Sequence, residues 1–227
     1  MKLRTITLVL ALTLSMASAA GAPDTDPGEK LVDAFVTDVK TLSSRFEQRL
    51  MDANGEILEV SSGTLDIHRP SQFRWAYDEP YEQWLVADGT NIWNYDIDLA
   101  QVTVKPQVEA LANTPALLLG GSETAMDEFE FDGSYEAGGL TWVRMRPIDT
   151  ESGFKRVELA FNDRELARMV FLDNLEQTTL VSLYEVIVNE SIDASQFEFV
   201  VPEDVDVVGT PSTADLKNTT TDNTDIP

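Results

Sequence analysis

Short segments of alternating apolar and polar residues dominate this sequence, and turn-forming residues separate one segment from the next. A period of two is typical of β-strands that bury one face. Asn54-Gly55 and Asp88-Gly89 are strong hairpin turns between such segments. Eleven strands are predicted, at residues 44–51, 58–69, 73–77, 84–87, 92–95, 101–104, 129–136, 140–146, 155–161, 166–172 and 178–188. Because most neighbours are joined by tight turns, the pattern predicts a mainly β protein with one strongly curved antiparallel sheet or barrel.

Two segments interrupt the alternation. Residues 28–42 carry apolar side chains at helical spacing and predict an amphipathic helix. Its apolar stripe comprises Leu31, Val32, Phe35, Val36, Val39 and Leu42, and continues to Phe46. Residues 106–121 are strongly apolar and predict two short helical stretches around a break at Asn113-Thr114-Pro115. Such an insertion can cover the open face of a curved sheet or pack on its outside, and the pattern leaves both positions open.

The first residues have the features of a processing segment. Lys2 and Arg4 precede an apolar run over residues 6–14, and Ala17-Ser18-Ala19 provides the small residues of a cleavage site. Residues 1–19 are therefore predicted to be a signal peptide that is cleaved near Ala19. This prediction makes the mature protein an exported, soluble one.

The rest of the chain divides into one domain and a tail. Residues 20–208 are numerous enough to bury a sizeable core in one all-β domain. Residues 209–227 are acidic and rich in Thr and Asn, and predict a disordered or loosely attached tail. No stretch after the leader reaches the roughly 18 apolar residues of a membrane-spanning helix, so no stable membrane insertion is expected.

The composition excludes several functions. The chain has 40 Asp and Glu against 16 Lys and Arg, a formal net charge of −24. Such a surface repels nucleic acid and anionic headgroups. The chain also has no cysteine, which excludes disulfides and a thiol nucleophile.

No motif in the sequence indicates catalysis or a metal site. His68 is the only histidine, and zinc sites need several His or Cys ligands. Asp96 and Asp98 have the spacing of a calcium loop but lack its glycine and terminal glutamate. Phosphate-binding and nucleophile motifs are absent from the sequence. We therefore predict a protein that is not an enzyme and has no cofactor or metal.

Arg69 is the residue that the alternation does not explain. Leu65, Ile67 and Arg69 share one face of a predicted strand, and Asp66 and His68 share the other. A guanidinium stays charged at accessible pH, so on an apolar face it needs hydrogen-bond acceptors. Either it lies at the rim in water, or another segment closes over it and supplies acceptors.

The central part of the chain resembles a known family. The run SSGTLDIHRPSQFRW from Ser61 to Trp75 is followed, at matching spacing, by YDEPYEQ at 77–83, VADG at 86–89 and WNYD at 93–96. With Asn113-Thr114-Pro115 behind it, this series resembles the periplasmic outer-membrane lipoprotein carrier family, LolA. The leader, the first helix and the C-terminal strands also fit in order, so that the resemblance covers the mature chain except its tail.

The resemblance implies a fold and a function. The expected fold is a half-closed antiparallel β-barrel of about eleven strands, with a helical lid over the open face. The expected function is that of a monomeric periplasmic chaperone, which accepts triacylated lipoproteins from an inner-membrane lipoprotein-releasing ABC transporter and delivers them to an outer-membrane lipoprotein receptor. The alternative is a half-barrel that binds lipid or glycolipid, or senses lipoproteins as a regulator.

The resemblance also implies roles for residues. In that family the arginine of the Arg-Pro motif, here Arg69, bonds lid-helix carbonyls and favours the closed, empty state. Phe73 matches an aromatic that contacts transporter and receptor. We expect the lipid cavity to be lined by Leu65, Ile67, Trp75, Leu85, Trp93 and Val102. We expect the lid to contain Leu31, Phe35, Val39, Leu111, Pro115, Leu117 and Leu118. For these apolar residues the sequence does not separate cavity wall from ordinary core.

Overall fold

One long β-sheet organises the described part of the chain. The computed structural model describes residues 26–111, 117–120 and 123–212. Its strands are β1 (Thr41–Met51), β2 (Ile57–His68), β3 (Gln72–Glu79), β4 (Gln83–Asp88), β5 (Asn91–Asp96), β6 (Gln101–Pro106), β7 (Phe129–Ala137), β8 (Leu140–Pro147), β9 (Phe154–Asn162), β10 (Glu165–Asp173), β11 (Thr178–Val188) and β12 (Asp206–Gly209). Its helices are α1 (Pro27–Asp38), α2 (Gln107–Leu111), α3 (Leu117–Gly120) and two 3-10 helices, Glu123–Glu128 and Ala194–Phe197.

The twelve strands form a single unclosed sheet in the order β12-β6-β5-β4-β3-β2-β1-β11-β10-β9-β8-β7. All neighbouring pairs are antiparallel except β12 and β6, which are parallel. The strands β7 and β12 lie at the two opposite edges of this sheet. The predicted mainly β, half-closed antiparallel fold is therefore confirmed.

All eleven predicted strands are present, and β12 is an addition. It lies against β6, where Asp206 pairs with Gln101 and Gly209 with Val104. Beyond it, the Ser212 N–H donates to Asn91 Oδ1 over 2.6 Å. The predicted tail at 209–227 thus begins inside a strand, and residues 213–227 lie outside the described residues, as does the predicted leader.

Helix α1 is shorter than the predicted 28–42, because it ends at Asp38. Its N-terminus is capped by Asp26, whose carboxylate accepts from the Gly28 N–H and from Ser134 Oγ. After the extended Val39 the chain enters β1. Leu42 and Phe46 fit the helical stripe, but they are also four apart in a strand and therefore share a strand face as well.

The sheet has two faces with different covers. We call the face beneath α1 and α3 the inner face, and the opposite one the outer face. The inner face and the two helices form one continuous apolar core. On the outer face, the segment 193–202 packs over β3 to β5, with Phe197 fully buried beside His68. This division decides which side chains can meet a ligand inside the half-barrel.

Gly63 allows β2 and β3 to approach each other at a register shift. Between Ser62 and Gly63 the pairing of β2 with β3 changes by one residue. A β-carbon on Gly63 would lie 1.9 Å from the carbonyl oxygen of Ala76, a backbone atom that cannot move without shifting β3. A glycine is therefore required where the inner face of β2 bends.

We predict that Gly63→Ala destabilises the protein by about 1–3 kcal/mol, because an added methyl group overpacks against backbone. The measurement is the free energy of unfolding from urea titration. Gly153→Ala is the matched control, since its β-carbon would meet no atom within 4 Å. Equal stability of the two variants would contradict the close approach.

Candidate functional site

The inner face of β1, β2 and β3 forms an ordered apolar wall. Residues paired directly across antiparallel strands point to the same face, so the register defines cross-strand rows. Three successive rows are Leu42–Ile67–Phe73, Ser44–Leu65–Trp75 and Phe46–Gly63–Tyr77. In the third row the Phe46 ring meets the Trp75 and Tyr77 rings edge to face, each at 5.2 Å between centroids. The result is an interior wall of mixed aliphatic and aromatic side chains, with the ring cluster of Phe46, Trp75 and Tyr77 at one end.

Helix α3 covers this wall at β2 and β3, and α1 covers the inner face farther along the sheet, at β7 and β8. Val32, Phe35 and Val36 of α1 and Leu118 and Leu119 of α3 are all at most 2% exposed. The ring of Phe35 packs against Phe161 across the interior at 6.2 Å. The two helices complete the core, although neither belongs to the sheet.

Arg69 lies beneath α3 and is bonded to it. Its own backbone N–H donates to the Lys40 carbonyl at 2.8 Å, which fixes the turn after β2. The Nη2 group donates to the backbone carbonyl of Leu118 over 2.9 Å. The guanidinium carbon lies 5.0 Å from the centroid of the Phe35 ring. One side chain therefore links the sheet to both helices of the cover.

The closed position of Arg69 combines attraction with a cost. A hydrogen bond from a charged group contributes about 1.5–3 kcal/mol, and a desolvated cation–π contact contributes about 2 kcal/mol. Against this, burial lowers the pKa of Arg69 to about 10, and Nε and Nη1 have no hydrogen-bond partner. The guanidinium remains charged below that pKa, so the desolvation cost is present throughout the physiological pH range. The desolvation cost therefore offsets part of what Arg69 gains from its hydrogen bond and its ring contact in the closed position.

Gln107 fixes the point where the chain leaves the sheet for α2. Its side chain is 5% exposed. Its Oε1 accepts from the Gly89 N–H at 3.0 Å, and its Nε2 donates to the Ser71 carbonyl at 2.7 Å. The start of α2 is thereby tied to the turn that also carries Arg69. Sequence reasoning missed this residue, because a single glutamine at the end of a strand has no distinctive pattern.

Four of the predicted lining residues lie on the inner face. Leu65 and Ile67 of β2 are fully buried, and Trp75 of β3 is 7% exposed. Leu85 of β4 pairs with Trp75 and is partly buried against the same core. In the closed structure these four residues pack against their own protein, and their role as cavity lining stays a prediction.

Trp93 and Val102 lie on the outer face, so the prediction that they line the interior is wrong. Leu85 of the inner face pairs with Asn94 of β5, so Asn94 also lies on the inner face. Its neighbour Trp93, which pairs with Val86, therefore lies on the opposite face. The Trp93 ring stacks on Phe199 at 5.2 Å, and its Nε1 donates to Asp88 Oδ2 at 2.6 Å. The sequence left the register of this strand ambiguous, because the C-terminal segment makes its outer face apolar too.

The prediction that Phe73 contacts partner proteins does not fit its position. Phe73 pairs with Ile67 at the inner face and is 0% exposed. A fully buried ring offers no surface to a partner in this conformation. Alternation already put Phe73 on the Trp75 face, and the structure shows that this face is completely covered here.

The predicted lid residues are placed as far as the structure describes them. Phe35 and Leu118 are buried beside Arg69, and Leu31 and Val39 are partly buried against the core. Leu111 and Leu117 lie in α2 and α3. Pro115 lies outside the described residues. The lid assignment for all seven stays a prediction.

Sequence reasoning also missed a polar end of the inner face. Gln48 pairs with Ser61 one row beyond Phe46 and Gly63, and the Tyr77 hydroxyl donates to Gln48 Oε1 at 3.2 Å. Burial, with a smaller effect of the Glu59 charge, raises the pKa of Tyr77 to about 12, so its hydroxyl is protonated at neutral pH. Residues two apart along a strand share a face, so Ser61 lies on the same face as Leu65. This alternation could have revealed the polar end from the sequence.

We predict that Phe199→Ala uncovers Trp93 and leaves Trp75 unchanged. The loss of two aromatic pairs, with Trp93 and with Tyr95, should lower stability by about 1–3 kcal/mol. The measurement is the fluorine NMR spectrum of the 5-fluorotryptophan-labelled protein, whose four tryptophans are assigned by replacing each with Phe. A shift of the Trp75 resonance with a stationary Trp93 resonance would contradict the assignment of faces.

Comparison with known proteins gives a consistent result. Residues 37–200 match the family model described as outer membrane lipoprotein carrier protein LolA. An outer-membrane lipoprotein carrier protein from Nitrosomonas europaea is 37% identical over 180 residues, 79% of this chain and 87% of that protein. One from Methylobacillus flagellatus is 34% identical over 203 residues, 89% of this chain and 96% of that protein.

A solved structure supports the fold. An uncharacterized conserved protein from Thermus thermophilus superimposes with a TM-score of 0.50 at 17% identity, over 79% of this chain and 97% of that one. Within residues 26–111, 117–120 and 123–212, no helix is both long and apolar enough to cross a membrane. The family match and the long relatives agree over most of the sequence: the chain belongs to the outer-membrane lipoprotein carrier family, LolA.

Proposed function

We propose that this protein is a periplasmic chaperone that carries acylated lipoproteins between the two membranes. The relatives are named outer-membrane lipoprotein carrier proteins, and the inner face of the sheet is a continuous apolar wall. Residues 1–19 act as the leader for export. The carrier accepts triacylated cargo from an inner-membrane ABC transporter and surrenders it to an outer-membrane receptor, working as a monomer.

The need for a carrier follows from the hydrophobic effect. Each buried methylene contributes about 0.8 kcal/mol, so three acyl chains with about 45 methylenes would cost on the order of 35 kcal/mol in water. Unaided transfer across an aqueous compartment is therefore negligible. A carrier must offer an apolar surface of comparable extent and still release what it holds.

The observation that carries the proposal is the buried guanidinium of Arg69 under α3. When the interior is empty, the α1 and α3 side chains occupy the apolar wall and Arg69 holds α3 through Leu118. Acyl chains that enter the interior displace α3, and Arg69 then loses its acceptor. Cargo competes with the closed arrangement for the same wall, and return of Arg69 to the Leu118 carbonyl favours release.

This mechanism gives Arg69 a role in release, because Arg69 stabilises the closed state. The closed state competes with cargo for the same wall, so whatever stabilises closure weakens binding and promotes transfer. An apolar side chain at position 69 removes the hydrogen bond to Leu118. It leaves the wall and the helices in place.

We predict that Arg69→Leu binds acylated lipoprotein at least as tightly as the original protein but transfers it to the receptor at least about tenfold more slowly, as loss of a charged hydrogen bond implies. The measurement is the transfer of a radiolabelled lipoprotein to purified receptor. Arg74→Leu is the matched control, because Arg74 lies 4.4 Å over the Trp84 ring on the outer face.

Two outcomes would count against the proposal. Unchanged transfer by Arg69→Leu would remove the release role of Arg69. Native mass spectrometry of the purified protein tests the function itself: triacylated cargo supports a lipoprotein carrier, whereas retention of other lipids alone would favour a lipid-binding or lipoprotein-sensing protein.

A further inference from the structure

Unpartnered polar atoms are concentrated inside the half-barrel. In the part of the chain that the structure describes, six buried side-chain nitrogen or oxygen atoms lack a hydrogen-bond partner. Five of them lie on the inner face or beneath α3: Ser44 Oγ, Ser61 Oγ, Trp75 Nε1, and Nε and Nη1 of Arg69. An unpaired buried polar atom costs about 1–3 kcal/mol, and a plain core would replace such atoms with carbon.

Ser61 is one of the residues that line a cavity at the end of the inner face remote from Arg69. The cavity is open to solvent and has a volume of about 150 Å³. It is lined by Gln48, Glu59, Ser61, Tyr77, Glu79, Pro80, Tyr81 and Gln83. Ser61 is 3% exposed and lies at its base, whereas Glu59 and Glu79 are exposed at its opening. Polar groups thus reach from solvent down to a buried hydroxyl.

The cavity is continuous with the apolar wall. Tyr77 lines it with its hydroxyl, while its ring packs against Phe46 and stacks with Trp75 at 6.2 Å. Ser61 precedes Ile67 by six residues along β2, which corresponds to about 20 Å of strand. The inner face is therefore apolar from Arg69 to the aromatic row, and polar beyond it.

The chemistry of the cavity fits a neutral group that carries both carbonyl and N–H functions. The hydroxyl of Ser61 can donate to a carbonyl oxygen. The carboxylates of Glu59 and Glu79 accept hydrogen bonds and repel other anions. Ester and amide groups satisfy both conditions, whereas a fatty-acid carboxylate or a lipid phosphate meets like charge.

We propose that this cavity binds the junction between the acyl chains and the polypeptide of the cargo, where ester and amide groups join them. The inference rests on the proposed function and adds a subsite to it. Ser61 donates to a junction carbonyl, and Glu59 and Glu79 accept from amide N–H groups at the start of the polypeptide. The same carboxylates select against the anionic lipids of the surrounding membranes.

The test compares two ligands that carry the same type of acyl chain, three copies in one and a single copy in the other. One is a synthetic tripalmitoylated glyceryl-cysteine peptide, and the other is palmitate, which lacks the junction. We expect Ser61→Ala to weaken binding of the lipopeptide about two- to tenfold, as the loss of one hydrogen bond implies, and to leave palmitate binding unchanged. The measurement is displacement of a fluorescent acyl probe.

The empty protein provides an independent readout. Because Ser61 Oγ has no partner, its removal should leave the melting temperature of the unliganded protein unchanged or raise it. Ser182→Ala is the matched control, since Ser182 lies on β11 opposite Glu47 and does not line the cavity. Lower stability of Ser61→Ala, with equal losses for both ligands, would show a structural role and overturn the proposal.

The acidic opening is tested separately. Glu59→Gln should raise the affinity for palmitate about two- to fivefold at low salt, because it removes a like charge. Glu203→Gln, an exposed glutamate outside the cavity, makes the same change in net charge and should have no effect. Equal palmitate affinities for the two variants would overturn the selection against anions.

Failure of this inference differs from failure of the proposed function. If the wild-type protein binds neither ligand, the carrier function itself is wrong. If the wild type binds the lipopeptide and Ser61→Ala binds it equally well, the function stands and the junction subsite is refuted.

Discussion

A charged guanidinium inside an apolar interior is the constraint on which this structure depends. Arg69 cannot lose its proton at neutral pH, so the chain must bring an acceptor to it, and the acceptor is the Leu118 carbonyl of α3. The same placement leaves two of its nitrogens unpaired. The gain that Arg69 brings to closure is therefore reduced by the cost of burying it. An apolar side chain at this position would lose the hydrogen bond to α3, and the closed arrangement would compete less well with a ligand for the interior.

The two faces of the sheet show how permanent and removable covers differ. On the outer face, the C-terminal segment is tied by aromatic stacking on Trp93, by pairing of β12 with β6, and by the Ser212–Asn91 hydrogen bond. On the inner face, α1 is capped by Asp26 against β7, and α3 is bonded to the sheet through Arg69. The end of α1 is also held, because Arg164 and Asn189 donate to Asp38. Apolar burial supports both covers. Because neither α1 nor α3 belongs to the sheet, the inner cover can move without breaking a strand pairing.

The polar atoms left unpaired on the inner face are the second mark of function. Ser61 and Trp75 each bury a donor that has no hydrogen-bond partner. Apolar side chains at these two positions would avoid that cost and raise the stability of the empty protein. Their retention is typical of sites in which stability is exchanged for binding. The inner face accordingly combines a largely apolar length, which we propose holds acyl chains, with a polar end, which we propose holds the group that joins them to protein. Arg69 and Ser61 lie at opposite ends of this one surface.

Sequence alone determined the strands, because alternation and turn residues are local and act within a few positions. It also singled out Arg69, since a guanidinium on an apolar strand face conflicts with its neighbours whatever the fold. The end of α1 and the faces of Trp93 and Val102 were decided only by tertiary structure. Leu42 and Phe46 satisfy helical and strand periods alike, and Trp93 lies on a strand that is apolar on both sides. In each case the local pattern fits two arrangements, and only the packing of distant segments, Ile67 on Leu42 and Phe199 on Trp93, selects one.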